Sequence, residues 1–107
     1  MSVSTAKIDK MPVVLSRRAL KGLSRLSHAD LGRFDSAIGR IETGHGGKMM
    51  PQAHGLFRGR ITDSLRFIYL IHDSRIIVLH VGGHQESDRF VSFIVKQGVS
   101  KEQLTFH

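Results

Sequence analysis

The spacing of apolar residues along this chain changes once, and that change limits the fold more than any other feature. Before residue 44 apolar residues recur every three or four positions, as on amphipathic helices. After residue 55 they alternate or run continuously, as on strands. Helices followed by strands predict an α+β domain, with two helices on one side of a mostly antiparallel sheet.

The helical part begins after Val13–Leu15, a short apolar segment that follows a proline and predicts a strand. Ser16 is the predicted N-cap of the first helix, and Ser27 begins a second that Gly44 ends. The apolar stripes are Leu20, Leu23 and Leu26, then Leu31, Phe34, Ile38 and Ile41. Gly22 weakens the first helix, so we expect a close packing contact there. Two helices joined this closely predict an antiparallel hairpin.

The strand part follows a segment, residues 44–51, whose glycines predict a loop. Three strands are predicted at residues 56–61, 64–72 and 76–81, separated by tight turns. The second and third are nearly all apolar, as in strands covered on both faces. The pattern at residues 88–96 fits a short helix or another strand equally. The short first strand is expected to join the sheet beside one of the later strands.

Length and composition exclude several classes of protein. A chain of 107 residues predicts one domain, placed here at residues 13–107 behind a flexible leader at residues 1–12. The absence of cysteine excludes disulfides, zinc sites with thiolate ligands and thiol catalysis. No apolar run approaches a membrane span, and the N-terminus lacks the apolar middle of a signal peptide. We therefore expect a soluble, cytoplasmic domain.

Positive charge is concentrated in the first two thirds of the chain. The net charge is +7, and residues 16–66 carry ten Lys and Arg against four Asp and Glu. Residues 67–107 carry four of each sign and are neutral. Arginine outnumbers lysine by ten to six, and arginine grips phosphate and carboxylate groups bidentately. This pattern indicates a polyanionic or acidic partner. The alternative is a soluble surface that is basic without binding such a partner.

Three arginines on the predicted strands form the first candidate binding group. Arg58 and Arg60 share one face of their strand because residues two apart point the same way. Across a tight turn, Arg66 is expected almost opposite Arg60, where like charges repel unless an anion neutralises them. The group is therefore a candidate phosphate site. The alternative is that Asp63 or another nearby carboxylate pairs with one arginine and that water solvates the others.

His84 is the candidate acid or base, because it follows a glycine pair at the end of the last strand. Cleavage of RNA by attack of the RNA's own 2′-hydroxyl requires a group that moves protons and cations that stabilise the phosphate. A histidine beside phosphate-binding arginines supplies both. The alternative is an ordinary surface histidine. His54 is a second, minor candidate, whereas His72 and His80 are expected to be partly buried structural residues. The scattered histidines lack the spacing of metal ligands, so we predict no metal and no cofactor.

The segments Ser16–Leu23, Leu56–Ile61, Leu65–Tyr69 and Val81–His84 together resemble the RelE/ParE superfamily of bacterial toxins. The resemblance covers roughly residues 13–95. It implies a helical hairpin packed on a twisted, mostly antiparallel sheet. It also implies a toxin of a type II toxin–antitoxin pair, whose cognate antitoxin is its protein partner and carries the complex to operator DNA.

Within that superfamily, the residues are similar to those of the RelE-like branch, including its YafQ and HigB-type members. Such proteins cut mRNA on the ribosome without metal. The resemblance implies catalytic roles for His84 and Arg66 and substrate binding by Arg58 and Arg60. His54, the minor candidate from its position before the strand, is counted with the substrate-binding residues. Phe90 stands where many members have a tyrosine, and without a hydroxyl its expected role is to stack on a base.

Two alternatives follow from the same resemblance. A ParE-like protein inhibits DNA gyrase by binding it and has no nuclease centre. A protein that has kept the toxin fold and lost its activity serves only to bind an antitoxin. His84 together with three aligned arginines favours the nuclease, whereas Phe90 in place of tyrosine argues mildly against it.

Overall fold

The computed structural model describes residues 12–42, 48–49 and 55–97. Its strands are β1 (Val13–Leu15), β2 (Lys48–Met49), β3 (Leu56–Arg60), β4 (Leu65–His72) and β5 (Arg75–Gly83). Its helices are α1 (Arg17–Leu23), α2 (His28–Glu42) and α3 (His84–Gln97). In these ranges, no helix has the length and apolar character that crossing a bilayer demands. The proposed leader lies almost wholly outside the described residues.

The five described strands form one sheet in the order β1-β5-β4-β3-β2. β1 runs parallel to β5, and every other neighbouring pair is antiparallel. This arrangement confirms the mostly antiparallel sheet and the place expected for the first strand. β2 is a difference, because its two residues fall within the segment predicted as a loop and pair with β3. The remainder of that loop lies outside the described residues.

The helical hairpin of α1 and α2 packs on one face of the sheet, as predicted. Phe34 of α2 meets Phe67 of β4 edge to face, with ring centroids 5.2 Å apart. Ser16 caps α1, since its hydroxyl accepts from the Ala19 N–H at 3.1 Å. Gly22 is the expected close contact, because a Cβ atom there would lie 2.0 Å from the Val81 carbonyl oxygen. We call this side of the sheet the hairpin face.

The opposite face of the sheet is covered by α3, and this settles the conformation left open at residues 88–96. The segment is helical and begins four residues earlier than that range, at His84. Phe90, Val91 and Ile94 of α3 pack against Leu56, Ile68 and Ile77 of the strands. The two predicted helices share one side of the sheet, as expected, and α3 is an additional helix on the other side. Strands that are apolar on both faces need a second cover, and α3 supplies it.

A β-bulge in β5 changes which residues of that strand reach α3. Ile68 pairs with His80 and Tyr69 pairs with Val78, so that Leu79 is the extra residue between them. Leu79 belongs to the core beneath α3. His80, its neighbour in the chain, also lies on that side, because its ring stacks on Phe90. The bulge therefore places a histidine inside the α3 side of the protein.

Candidate functional site

All three arginines of the candidate group project from the side of the sheet that α3 covers. Leu56 of β3 packs beneath α3, and the alternation of side chains along a strand places Arg58 and Arg60 on that same side. Arg60 and Arg66 are paired across the β3–β4 ladder, as the sequence predicts. Guanidinium groups from two adjacent strands therefore lie on one face of the sheet.

Each arginine has a neighbouring acceptor that offsets the repulsion between them. The Arg60 guanidinium donates to the Asp63 carboxylate in the β3–β4 turn. Arg66 Nη1 donates to the backbone carbonyls of Thr62 and Leu65. Arg58 Nη1 lies 3.9 Å from an oxygen of Asp88, a residue of α3. Because these acceptors are exposed carboxylates or turn carbonyls, a phosphate group can replace them at a small cost in free energy.

His84 is the first residue of α3 and lies at the end of the sheet where Arg60 and Arg66 are found. Its backbone N–H donates to the Ser64 carbonyl at 3.0 Å, which holds the helix start against the β3–β4 turn. Its side chain is 49% exposed, and its Nδ1 lies 3.4 Å from Asp88 Oδ2. Nδ1 is therefore turned to the carboxylate, and Nε2 is the nitrogen left for a substrate.

Asp88 joins the two candidate groups and was missed in the sequence. One of its oxygens faces the Arg58 guanidinium, and the other faces the His84 imidazole. The signal for it was present, because residues four apart share one side of a helix. Placing the start of the C-terminal element at Asp88 hid that signal, since His84 then lay outside it. The result is a line of three groups, guanidinium, carboxylate and imidazole, along one flank of α3.

Phe90 does not have the role that the sequence suggested. The residue is 3% exposed, its ring stacks on His80 with centroids 5.1 Å apart, and the Arg18 guanidinium lies 4.9 Å from its centroid. A ring held between an imidazole and a guanidinium has no open face for a base. We therefore correct its assignment from substrate binding to the packing of α3.

The other histidines differ in environment. His80 is 5% exposed, and neither ring nitrogen has a hydrogen-bond partner. The pKa of His80 is lowered from its ordinary 6.5 to about 4, first by burial and then by the Arg18 cation, against an opposing contribution from Glu86. His72 is 60% exposed beside Asp73 at the β4–β5 turn, so the expectation that it is partly buried is wrong. His54 lies outside the described residues.

Metal ligands are not clustered in the part of the chain that the structure describes. No three His, Asp or Glu side chains there are arranged to hold a metal ion. The described groups at the candidate site are an exposed imidazole, a carboxylate beside it and three guanidinium groups.

The solved structures whose fold is similar to that of this chain include a bacterial toxin. A doubly substituted mutant of the toxin RelE from E. coli, in the free state, aligns with 82% of this chain and 97% of its own, with a TM-score of 0.68 and 17% identity. The chain has the fold of the RelE-like toxins. The YoeB dimer from Staphylococcus aureus aligns with 70% of this chain and 98% of its own, with a TM-score of 0.61 and 15% identity.

A third structure with the RelE-like fold, the YoeB–YefM complex from Staphylococcus aureus, has a TM-score of 0.58 and 15% identity over 70% of this chain and 98% of its own. No protein-family model and no curated protein matches the sequence. The likeness is therefore one of fold. It confirms the α+β architecture that the sequence resemblance implied.

Proposed function

We propose that this protein is the toxin of a type II toxin–antitoxin pair and acts as a ribosome-dependent mRNA endonuclease. The observation that carries the proposal is the placement of Asp88 between the Arg58 guanidinium and the His84 imidazole. Arg60 and Arg66 lie on the same face of the sheet, on paired strands. A titratable group beside several fixed cations suits attack on a phosphodiester.

In the proposed reaction the arginines hold the scissile phosphate. Arg58, Arg60 and Arg66 exchange their present acceptors for phosphate oxygens. Their charge stabilises the additional negative charge that develops on the phosphorus-bound oxygens in the transition state. Before the phosphate binds, two backbone carbonyls hold the Arg66 guanidinium at the end of the sheet. No metal ion is required in this mechanism.

His84 moves the proton. Its Nε2 takes the proton of the ribose 2′-hydroxyl, and the 2′-oxygen attacks phosphorus as the bond from phosphorus to the 5′-oxygen breaks. The products are a 2′,3′-cyclic phosphate and a 5′-hydroxyl, whose proton comes from the imidazolium or from water. Asp88 orients the ring through Nδ1, as carboxylates do for catalytic histidines. His84 and Arg66 are thus the proposed catalytic residues.

The proposed partners follow from charge and fold. A net charge of +7 suits the RNA of the ribosome, the mRNA and an acidic antitoxin. The YoeB–YefM complex, which shares this fold, supports an antitoxin as the protein partner. Operator DNA would then be contacted through the antitoxin. These partners are all found in the cytoplasm, where we propose that the protein acts.

The direct test is cleavage of mRNA by the purified protein in the presence of translating ribosomes. Replacing His84 by Ala is expected to lower the cleavage rate about 100-fold or more, because the proton acceptor is lost. The matched control is His72→Ala, since His72 is also an exposed histidine beside a carboxylate but lies at the β4–β5 turn. The control is expected to cleave as the wild type does. Equal rates for the wild type and the His84 variant would remove this residue from the mechanism.

A supercoiling assay with DNA gyrase separates the alternative function. Inhibition of gyrase by both the wild type and His84→Ala, with no cleavage of mRNA, would establish the ParE-like alternative. Antitoxin binding with neither activity would leave a toxin fold that serves only in binding.

A further inference from the structure

The turn between β3 and β4, residues 61–64, contacts both groups to which a catalytic role is given. The Thr62 carbonyl accepts from the Arg66 guanidinium. The Ser64 carbonyl accepts from the backbone N–H of His84 at 3.0 Å. The shape of this one turn therefore affects where the arginine and the histidine lie relative to each other.

The shape of the turn depends on one hydroxyl group. Thr62 Oγ1 accepts from the backbone N–H of Ser64 at 3.2 Å and from that of Leu65 at 3.1 Å. The backbone N–H of Thr62 donates to the Leu65 carbonyl at 3.3 Å. Threonine hydroxyls that accept from the backbone a few residues ahead take the place of bonds in a backbone turn. The half-buried Thr62 side chain therefore holds Ser64 in its place.

The bond between Ser64 and His84 fixes where α3 begins. The first N–H groups of a helix have no acceptor within the helix. At α3, the Ser64 carbonyl accepts from His84, and Glu86 Oε1 accepts from the Gly83 N–H at 3.2 Å. The first of these two bonds ties the helix to the sheet, whereas the second stays within the start of the helix. The Ser64 carbonyl therefore sets the position of the His84 backbone, and with it the position from which the imidazole projects.

The other polar side chains of the turn do not have this role. The exposed Asp63 carboxylate accepts from the Arg60 guanidinium. The Ser64 hydroxyl lies 3.4 Å from Thr62 Oγ1, which is beyond the usual length of a bond between two hydroxyl groups. The turn lies wholly within the described residues, and Thr62 supplies its one side chain that accepts from the backbone of the turn.

We propose that Thr62 is a positioning residue of the candidate site and sets the place of His84 through the Ser64 carbonyl. In the proposed reaction Thr62 contacts no reacting atom. Without its hydroxyl, the N–H groups of Ser64 and Leu65 lose their acceptor and the turn rearranges to satisfy them with water. The imidazole then spends less time where it can take the proton of the 2′-hydroxyl. The effect on cleavage rests on the proposed function, whereas the effect on the His84 backbone does not.

The first test is kcat for mRNA cleavage on ribosomes. Thr62→Val removes the hydroxyl, keeps the branched shape of the side chain and is expected to lower kcat about tenfold. Thr62→Ser keeps the acceptor and is expected to stay within about twofold of the wild type. Ser16→Ala is the matched control, because the Ser16 hydroxyl also accepts from a backbone N–H three residues ahead, but at the start of α1. This control loses a helix cap and is expected to keep the kcat of the wild type.

A double-mutant cycle tests whether Thr62 acts through His84. Thr62→Val is expected to slow cleavage about tenfold in the wild type and less than about threefold in the His84→Ala background, because the group that it positions is already absent. Equal factors in the two backgrounds would overturn the proposal. A loss of kcat in Ser16→Ala as large as that in Thr62→Val would also overturn it, since reduced stability would then explain both. The same holds for a Thr62→Ser variant that is as slow as Thr62→Val.

The second test needs no catalysis and measures amide hydrogen exchange by NMR. Thr62→Val is expected to raise the exchange rate of the His84 N–H, the donor to Ser64, about tenfold. The Asp30 N–H at the start of α2 donates to the Ser27 hydroxyl at 3.1 Å and is expected to keep its rate.

The two tests together separate this proposal from the nuclease proposal. Unchanged exchange at His84 in Thr62→Val overturns the positioning role, whatever the rate of cleavage. Faster exchange with an unchanged kcat also overturns that role and keeps the nuclease. A wild type that cuts no mRNA removes the nuclease, and the exchange rate alone then decides whether Thr62 holds His84 in place.

Discussion

The two flanks of α3 carry similar charges but different chemistry. On one flank, Arg58 faces a carboxylate and an exposed imidazole, so a titratable group lies beside the cation. On the other, Arg18 faces a phenyl ring, and the only histidine nearby among the described residues is buried beneath that ring. The first arrangement has an exposed imidazole for the proton transfer that we propose, whereas the imidazole of the second is buried. The difference shows that cations alone do not define a catalytic site, because the neighbouring titratable group decides what they can do.

The largest expected effect on stability concerns the close contact between Gly22 of α1 and Val81 of β5. This contact holds α1, and with it Arg18 of the second flank, against the sheet. Gly22→Ala places a Cβ atom 2.0 Å from the Val81 carbonyl oxygen, so α1 must move away from β5. We expect the free energy of unfolding to fall by about 3 kcal/mol or more. Urea denaturation measures this change.

The control for that substitution is Gly32→Ala in α2, where no atom lies within 4 Å of the added Cβ. It is expected to stabilise the protein by roughly 0.5–1 kcal/mol, because alanine favours a helix. Similar effects of the two substitutions would show that α1 does not depend on this contact.

The buried histidine beneath the second flank predicts a loss of stability in acid. The pKa of His80 is lowered to about 4 in the folded protein, whereas an unfolded histidine titrates near 6.5. Because the unfolded chain binds the proton more tightly, stability is complete above about pH 6.5 and decreases as the pH falls toward 4. The full loss is about 3 kcal/mol, from 1.36 kcal/mol for each pKa unit.

The measurement is urea denaturation at several pH values between 7 and 4. His80→Phe is expected to reduce the change in the free energy of unfolding with pH, because phenylalanine preserves a ring against Phe90 and cannot titrate. The exposed His72 provides the control, and His72→Ala is expected to keep the slope of the wild type. If the free energy of unfolding of His80→Phe changes with pH as much as that of the wild type, other groups cause the loss of stability in acid.

Removing the guanidinium of the first flank tests the binding half of the proposed active site. Arg58→Ala is expected to lower mRNA cleavage about 50-fold, because a stabilising cation is lost from the transition state. Arg58→Lys is expected to recover only part of that loss, since lysine lacks the planar fork that binds two phosphate oxygens. Arg18→Ala, on the second flank, is expected to lower cleavage by less than tenfold. Cleavage assays on ribosomes at saturating mRNA compare the three variants, and a larger effect at Arg18 would reverse the assignment of the flanks.

The features predicted correctly from the sequence are those that depend on the period of apolar residues and on the spacing of cap, glycine and turn residues. Two helices, the strands β3 to β5, the cap at Ser16 and the close contact at Gly22 each follow from a local pattern, and the structure confirms them. The pairing of Arg60 with Arg66 also follows, because a short turn fixes the register of the two strands. The position of the three strand arginines on one face of the sheet is therefore a consequence of alternation and turn length alone.

The features that were missed depend on long-range packing. α3 covers the side of the sheet that the helical hairpin leaves open. No local repeat of apolar residues in the sequence shows which side that is. The burial of Phe90 was missed because the bulge that brings His80 beneath its ring leaves no mark in the apolar pattern. Asp88 was overlooked for the related reason that its partner His84 was assigned to a loop. In each case the error began with the placement of one helix.

The smallest predicted effect concerns Asp88, which has opposite roles in binding and in chemistry. Its carboxylate repels a phosphate that approaches Arg58. Asp88→Asn is therefore expected to tighten, about two- to threefold, the binding of a single-stranded RNA that 2′-O-methyl groups protect from cleavage. The same change removes the charged partner that orients the His84 ring, so mRNA cleavage is expected to fall about tenfold. Tighter binding together with slower cleavage is the signature of a group that works through its neighbours. A parallel change in both quantities would show instead that Asp88 only balances the charge of the first flank.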